Sequence, residues 1–402
     1  MAESQSRVLK TGAFTLAHFV NDTYPNLYPV LLPELMPVLH FGTAAAGLVS
    51  TVSSFTTQLL QPVLGFWADR AGGRMFVVGG LIVGGVFAAL AWGLAPTYGV
   101  LLVLLLLSGL GNAAFHPHAS SLVGDIGGRR KGLGMGLFMI GGNLGRAAAP
   151  VLAAAAYLLG GRRGLLAVAL PGLIMALLIS WTMSPPPAPR PAREAMLSPE
   201  FIGGLRQAGG LLAVVGLRSV VTLTVTTLVP IWWKSLGRPI TDAAAFVSLL
   251  FVAGSIGNFT GGALSDYVGS KPVLIGSAVL SSLWLSLFLL FQTPLSIIVL
   301  GALLGASLYS SGSVVMVFGQ ALFPENKAMA SGLTLGLGNT LGALGVSITG
   351  LIAEHFTPQA GLWTVAVAML FSIPFVLRLQ EKPAPAPVQP ATGPQMTGER
   401  QH

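Results

Sequence analysis

His18, Asn21 and Asp22 stand inside an apolar run that extends from about Leu9 to Leu39. A carboxylate at membrane depth costs about 2.5–3.5 kcal/mol on insertion scales, and such groups usually face a bundle interior or a water-filled cavity. His18 and Asp22 are four residues apart, so they share one helix face, and Asn26 continues it. Pro25 has no N–H to give the carbonyl of Asn21, which leaves that oxygen open to another donor. The chemistry implied is a carboxylate that takes up and releases a proton beside an imidazole. The plainer use of Asp22 is a pairing that holds two helices together.

Other polar residues repeat the pattern. Asn112, His116 and Ser120 recur at steps of four, as do Arg218, Thr222 and Thr226. Arg146 is a second deep cation, and Ser307, Ser310, Ser311, Gln320, Asn143 and Asn339 supply hydroxyls and amides in later apolar runs. A guanidinium forks onto carboxylate or phosphonate oxygens, so Arg146 and Arg218 suit an anionic head group. Either could instead form a permanent ion pair with Asp22, and His116 could serve only as a packing hydrogen bond. The expected proton-coupling set is Asp22, His18 and His116. The expected substrate-binding set is Asn21, Asn112, His116, Asn143, Arg146, Arg218, Thr222, Ser311 and Asn339. A divalent-metal site on His18, Asp22 and His116 is an alternative use of the same donors.

These residues need a scaffold that holds polar faces inside a membrane. Of 402 residues, 53% are hydrophobic and only 8% charged, against about 25% charged in soluble proteins. The mean hydropathy is +0.77. At ~20 apolar residues per span, the length admits about twelve spans with short loops. The net charge of +8 does not indicate nucleic-acid binding, because the cations lie in short loops between apolar runs. With no cysteine, disulfides and thiolate metal sites are excluded. No nucleophile–base–oxyanion set or cofactor motif is present, so the chain reads as no enzyme, with no cofactor.

Spans are expected near 10–38, 43–68, 74–95, 98–123, 131–159 and 163–183, then near 208–235, 242–266, 272–292, 295–322, 327–354 and 360–380. The domains are therefore 1–183 and 207–382, with a Pro-rich linker at 184–206 and a disordered tail at 383–402. Fifteen loop cations fall on one side and four on the other, which puts both termini in the cytoplasm. The halves repeat. Gly65, Asp69, Gly72 and Arg74 match Gly262, Asp266, Gly269 and Lys271 at a shift of 197, and Gly142-Asn143 matches Gly338-Asn339 at a shift of 196. Two parallel six-span repeats place a site near the midplane between them.

At these residues the chain resembles the major facilitator superfamily. Gly65, Asp69, Arg70 and Arg74 follow that superfamily's signature loop after span 2, and Gly262, Asp266 and Lys271 form its second copy. The resemblance implies a gating latch at these positions and a cavity lined by spans 1, 4, 7 and 10. Gly132, Gly141 and Gly145 in span 5 resemble the glycine motif of its drug/proton antiporters, with Arg146 where those have Pro. His18-Phe19-Val20-Asn21-Asp22, Gln61-Pro62-Val63-Leu64-Gly65, Phe115-His116-Pro117 and Gly141-Gly142-Asn143-Leu144-Gly145 are similar to segments of the fosmidomycin-resistance proteins. The resemblance implies an all-α integral membrane protein of twelve spans in two pseudo-symmetric bundles. It implies a monomer of the cell inner membrane that uses protons to export small drug-like or phosphonate compounds. Uptake symport of small organic anions and divalent-metal export are the alternatives.

Overall fold

The computed structural model describes residues 2–61, 63–64, 67, 73–127, 131–182, 199–322 and 327–379. Side chains are described at these positions except 2–7, 73, 124–125, 127, 131–133, 182, 199–207, 320–322 and 327–335. Among the described residues every regular element is helical. Span 1 is α1 (Ala2–Thr23) and α2 (Tyr28–Leu39), joined by a 3-10 turn at Tyr24–Asn26 where Pro25 interrupts the ladder. Span 2 is α3 (Thr43–Ser54), which passes into a π-helical turn at Phe55–Leu59. Spans 3 and 4 are α4 (Gly73–Leu94) and α5 (Tyr98–Gly127). Span 5 is α6 (Lys131–Gly164), broken at Gly160 and Gly161, and Gly161 takes a φ of 57°. Span 6 ends in α7 (Ala169–Thr182).

The second half follows the same order. Spans 7, 8 and 9 are α8 (Pro199–Ser235), α9 (Ile240–Val268) and α10 (Ser270–Leu290). Span 10 is α11 (Pro294–Ser310) and α12 (Gly312–Leu322), span 11 is α13 (Lys327–His355), and span 12 is α14 (Pro358–Ala368) and α15 (Ile373–Arg378). The helix α8 begins at Pro199, inside the expected linker; residues 183–198 and the tail from 380 lie outside the described residues. Helix ends are set by local chemistry. Thr293 and Thr357 accept from the backbone N–H of Ser296 and Ala360, each with proline in the first turn.

Among the described residues nine stretches are long and apolar enough to cross a membrane, and one of them, Gly134–Trp181, runs through the Gly160–Gly161 break to cover two expected spans. The nine thus fill spans 3 to 12. Span 1 lacks a continuous apolar helix because Pro25 splits it, and span 2 runs through positions outside the described set. Large apolar side chains well inside the helices, such as Ile174, Ile256, Phe259 and Ile348, are exposed.

Glycines fix how the helices that carry the site approach. A Cβ at Gly141 or Gly145 of α6 would strike the carbonyls of Thr15 and Phe19 of α1. The same device recurs in the second half, where Gly338, Gly342 and Gly345 of α13 lie against Val215, Ser219 and Val220 of α8. The two halves meet through α3 on α13 and α6 on α9. At the end holding the α2–α3 and α13–α14 turns, called distal here, Thr43 donates to the Gly350 carbonyl (2.8 Å) and the Glu354 carboxylate accepts from Ala44 N–H (3.0 Å). Lys234 grips both Glu34 oxygens at 2.8 and 2.9 Å. Deeper in, Thr51 donates to the Ala343 carbonyl (2.7 Å) and Ser50 pairs with Thr227 (3.0 Å).

Candidate functional site

Helix α1 brings His18, Asn21 and Asp22 to the centre of the first half, where α5 and α6 pack on it. Asp22 is the hub. His116 Nε2 lies 3.1 Å from Oδ1, and His18 Nε2 and Arg146 Nη2 lie 3.5 Å from Oδ2. Asn21 donates to Oδ1 at 3.5 Å. Side-chain exposure rises from 4% at His18 and 7% at Asp22 to 22% at His116 and 39% at Arg146. That gradient makes Arg146 and His116 the members a solute reaches, with Asp22 and His18 behind them. The two imidazoles meet edge to face with centroids 5.1 Å apart.

Pro25 has the consequence its chemistry dictates. The Asn21 carbonyl, deprived of its helical donor, accepts from Asn112 Nδ2 of α5 at 2.9 Å. Asn26 turns back onto the carbonyl of Asp22 (2.8 Å). Gly142 makes room for the carboxylate: a Cβ there would stand 2.5 Å from His18 Cε1 and Nε2 and 2.9 Å from Asp22 Oδ2. A small cavity, no larger than a water molecule needs, adjoins the cluster and is lined by Tyr24, Tyr28, Ser53, Thr57, Ser108 and Asn112.

The second half contributes a different set. Arg218 of α8 donates to Ser311 Oγ at 3.2 Å, and Ser277 donates to the same hydroxyl at 3.3 Å. Among the described residues no carboxylate lies within salt-bridge distance of Arg218, so Asp22 takes its arginine from α6 and not from α8. Tyr309 of α11 stands within electrostatic reach of both Arg146 of the first half and Arg218 of the second.

Several expected residues are engaged elsewhere. Thr222 donates to the Arg218 carbonyl one turn back (3.0 Å). Asn339 donates to Gln58 of the first half at 2.6 Å, so it bridges the halves. Asn143 is half-buried and makes no side-chain hydrogen bond among the described residues. Of the gating set, Gly65, Asp69 and Arg70 lie outside the described residues. Arg74 donates to the Ser180 carbonyl (2.5 Å) and Lys271 to the Leu377 carbonyl (3.1 Å). Asp266 is exposed, and a Cβ on Gly262 would meet Ser313 Oγ at 2.7 Å. The residues that spacing alone did not single out are Tyr309, Ser277, Gln58 and the Phe138 carbonyl; of the site's neighbours, only Gly142 had a signal, as half of the repeated Gly-Asn pair.

The donor set His18–Asp22–His116 falls within 4.8 Å, the spacing a metal ion would need. The Arg146 guanidinium on the same carboxylate opposes a second cation there.

Comparison with known proteins places these features in context. The model of the Major Facilitator Superfamily matches residues 14–234 and 210–399. The chain is 26% identical to the fosmidomycin resistance protein of Escherichia coli K12 over 388 residues, 88% of this chain and 91% of that protein. It is 26% identical over 382 residues to YfnC of Bacillus subtilis, an uncharacterized MFS-type transporter, covering 89% and 88% of the two chains. Among solved structures, the nucleoside transporter NupG superposes with a TM-score of 0.75 at 15% identity, over 92% of this chain and 97% of that one. A bacterial homologue of the human lysosomal transporter Spinster, inward-facing and unoccupied, gives 0.72 at 17% identity, over 92% and 95%.

Proposed function

The chain belongs to the Major Facilitator Superfamily as a multi-pass membrane transporter of small molecules, and from its charged core we propose proton-driven export of small organic anions, phosphonates among them. It works as a monomer in the cell inner membrane with both termini in the cytoplasm. The two halves rock about the boundary, and the distal contacts form the outer closure. The observation that carries the reading is the Asp22 carboxylate, held by two imidazoles and by the partly exposed guanidinium of Arg146.

Charge counting supplies the cycle. With Asp22 ionised, Asp22, Arg146 and Arg218 sum to one positive charge. A singly charged anion on Arg218, with Ser311 beside it, brings the core to neutrality, the cheapest state to carry through a low-dielectric boundary. After release, a proton on Asp22 loosens Arg146 and leaves the empty core with two positive charges. An inside-negative potential draws that form back, at about 2.3 kcal/mol per charge per 100 mV. The name of the Escherichia coli relative supports outward transport.

Uptake by symport is the second reading, and the Asp22–Arg146 pair favours it, because protonation frees Arg146 to bind an anion together with the proton. Inverted vesicles carrying wild type or Asp22→Asn separate the readings. Export predicts accumulation of a phosphonate in wild-type vesicles when their interior is acidic and positive, and no gradient response in Asp22→Asn. Accumulation only under the reverse gradient selects symport, and a full gradient response in Asp22→Asn removes Asp22 from the mechanism. Divalent-metal export makes a third outcome, seen as proton-driven uptake of zinc or manganese ions by the same vesicles.

A further inference from the structure

Both nitrogens of His18 are committed. Nδ1 lies 2.7 Å from the Phe138 carbonyl oxygen, and the two rings stack with centroids 4.0 Å apart. A carbonyl oxygen only accepts, so Nδ1 carries a hydrogen. Nε2 therefore has a lone pair in the neutral ring and a hydrogen only in the imidazolium. That nitrogen faces Asp22 Oδ2 at 3.5 Å, in surroundings where both side chains are almost fully buried. A neutral ring against an ionised carboxylate would set two acceptors face to face at 3.5 Å, the arrangement that buried polar groups avoid.

Resting on the proton-coupled reading, we infer that His18 Nε2 and Asp22 Oδ2 share one proton, and that this structure is the proton-loaded form of the transporter. The pair holds one hydrogen more than a neutral imidazole with an ionised carboxylate. It sits as an N–H of imidazolium facing carboxylate or as an O–H of carboxylic acid facing the Nε2 lone pair; moving between the two forms breaks one bond and makes the other. His18 is thus a second seat for the coupling proton. His116, the more exposed imidazole, reaches the opposite oxygen at 3.1 Å and is placed to pass the proton in and out. The groups that face Asp22 are His18 from α1, His116 from α5, and Arg146 from α6, with the Asn21 amide beside Oδ1. Loss of the shared proton leaves a carboxylate for which Arg146 is the remaining permanent cation, so unloading tightens the Asp22–Arg146 contact.

Helix α6 sets this geometry twice, through the Phe138 carbonyl and, one turn on, through the bare backbone of Gly142. The full-length protein in lipid nanodiscs near neutral pH, with ¹⁵N-labelled histidine, provides the test. Two signatures support a shared proton: a doubly protonated imidazole that disappears in His18→Gln, or a carboxylic-acid infrared band that disappears in Asp22→Asn. Gly142→Ala, which wedges the pair apart, is expected to shift whichever signature is seen and serves if His18→Gln does not fold. A neutral His18 together with an ionised Asp22 in the wild type overturns the inference. If the signature is present but vesicles show no gradient-driven transport, the functional reading fails and the shared proton stands. If transport is gradient-driven without the signature, only the shared proton falls.

Discussion

Gly142→Ala tests whether the site is a positioned device or a by-product of helix packing. The added Cβ would lie 2.5 Å from His18 Cε1 and Nε2 and 2.9 Å from Asp22 Oδ2. Favourable separations are about 3.5–4.0 Å, so roughly 1 Å of movement is required. His18 cannot retreat freely, because it is bonded to the Phe138 carbonyl at 2.7 Å and stacked on that ring. The methyl therefore separates His18 from Asp22. Overpacking of this kind costs about 1–3 kcal/mol, and a hydrogen bond involving a charged group contributes about 1.5–3 kcal/mol. At about 1.4 kcal/mol per decade, that is on the order of a 10- to 100-fold loss in the affinity of the site for its proton. Gly145→Ala is the control, because its Cβ would meet the backbone of Phe19 and force α1 and α6 themselves apart. Thermal unfolding in detergent and gradient-driven transport in vesicles, measured on both variants, separate the effects. Gly142→Ala should keep most of its melting temperature while its transport shifts to more acidic pH, whereas Gly145→Ala should lose stability first. Wild-type pH dependence in Gly142→Ala would refute the reasoning.

Two further outcomes follow from the same geometry. Arg218→Gln should raise the KM for anionic compounds by about tenfold or more, since a charge-assisted fork is lost, while leaving the proton signature intact; Arg146→Gln should alter the pH dependence as well, because Arg146 touches Asp22. Equal effects of the two substitutions on pH dependence would contradict the division between them. Gly47→Val should open the distal end, since even a Cβ there would lie 2.7 Å from the Val346 carbonyl and 2.8 Å from the Ser347 backbone. The chain has no cysteine, so Thr51→Cys can be added as a reporter, and an impermeant maleimide should label it faster in the Gly47→Val background; unchanged labelling would count against α3–α13 as the closure.

The positions of the deep polar residues were readable from spacing, because a four-residue step on a helix puts side chains on one face whatever the helix touches. His18 and Asp22 needed nothing more, and the missing N–H of Pro25 announced an open carbonyl at Asn21. The donor that fills it, Asn112, lies on another helix, and no local rule selects it from the other amides. The choice between Arg146 and Arg218 as the partner of Asp22 was open for the same reason. It is decided by distance between helices: the glycines of α6 let it ride directly on α1, whereas α8 belongs to the other half. Thr222 and Asn339 show the limit of counting polar groups. The first spends its hydroxyl on its own helix and the second reaches across to Gln58, and sequence does not show which acceptor is nearest. The all-helical membrane architecture was legible in outline from apolar runs, while the break of span 10 at Ser311 was not expected, although the Ser311-Gly312 pair there is a turn-favouring dipeptide.

The repeat explains why the charges are divided as they are. At a shift of 196, Asp22 corresponds to Arg218, Gly142 to Gly338, and His116 to Gly312. The helix pairing is repeated within one residue of that register: Gly142 lies against His18, whose counterpart is Val214, and Gly338 lies against the adjacent Val215. A Cβ on Gly312 would stand 3.5 Å from Arg218 Nη2, on the side where the first half sets His116 against Asp22. One scaffold has thus been furnished in two ways. In the first half a carboxylate is surrounded by side chains able to share a proton with it. In the second half a guanidinium has a serine and a glycine beside it, and among the described residues no carboxylate to neutralise it. A cation left so lightly compensated costs several kcal/mol unless an anion accompanies it. The first half is built to supply its own counter-charge and the second to receive one, so the division between a proton side and an anion side follows from which side chains were placed on equivalent positions of a duplicated fold.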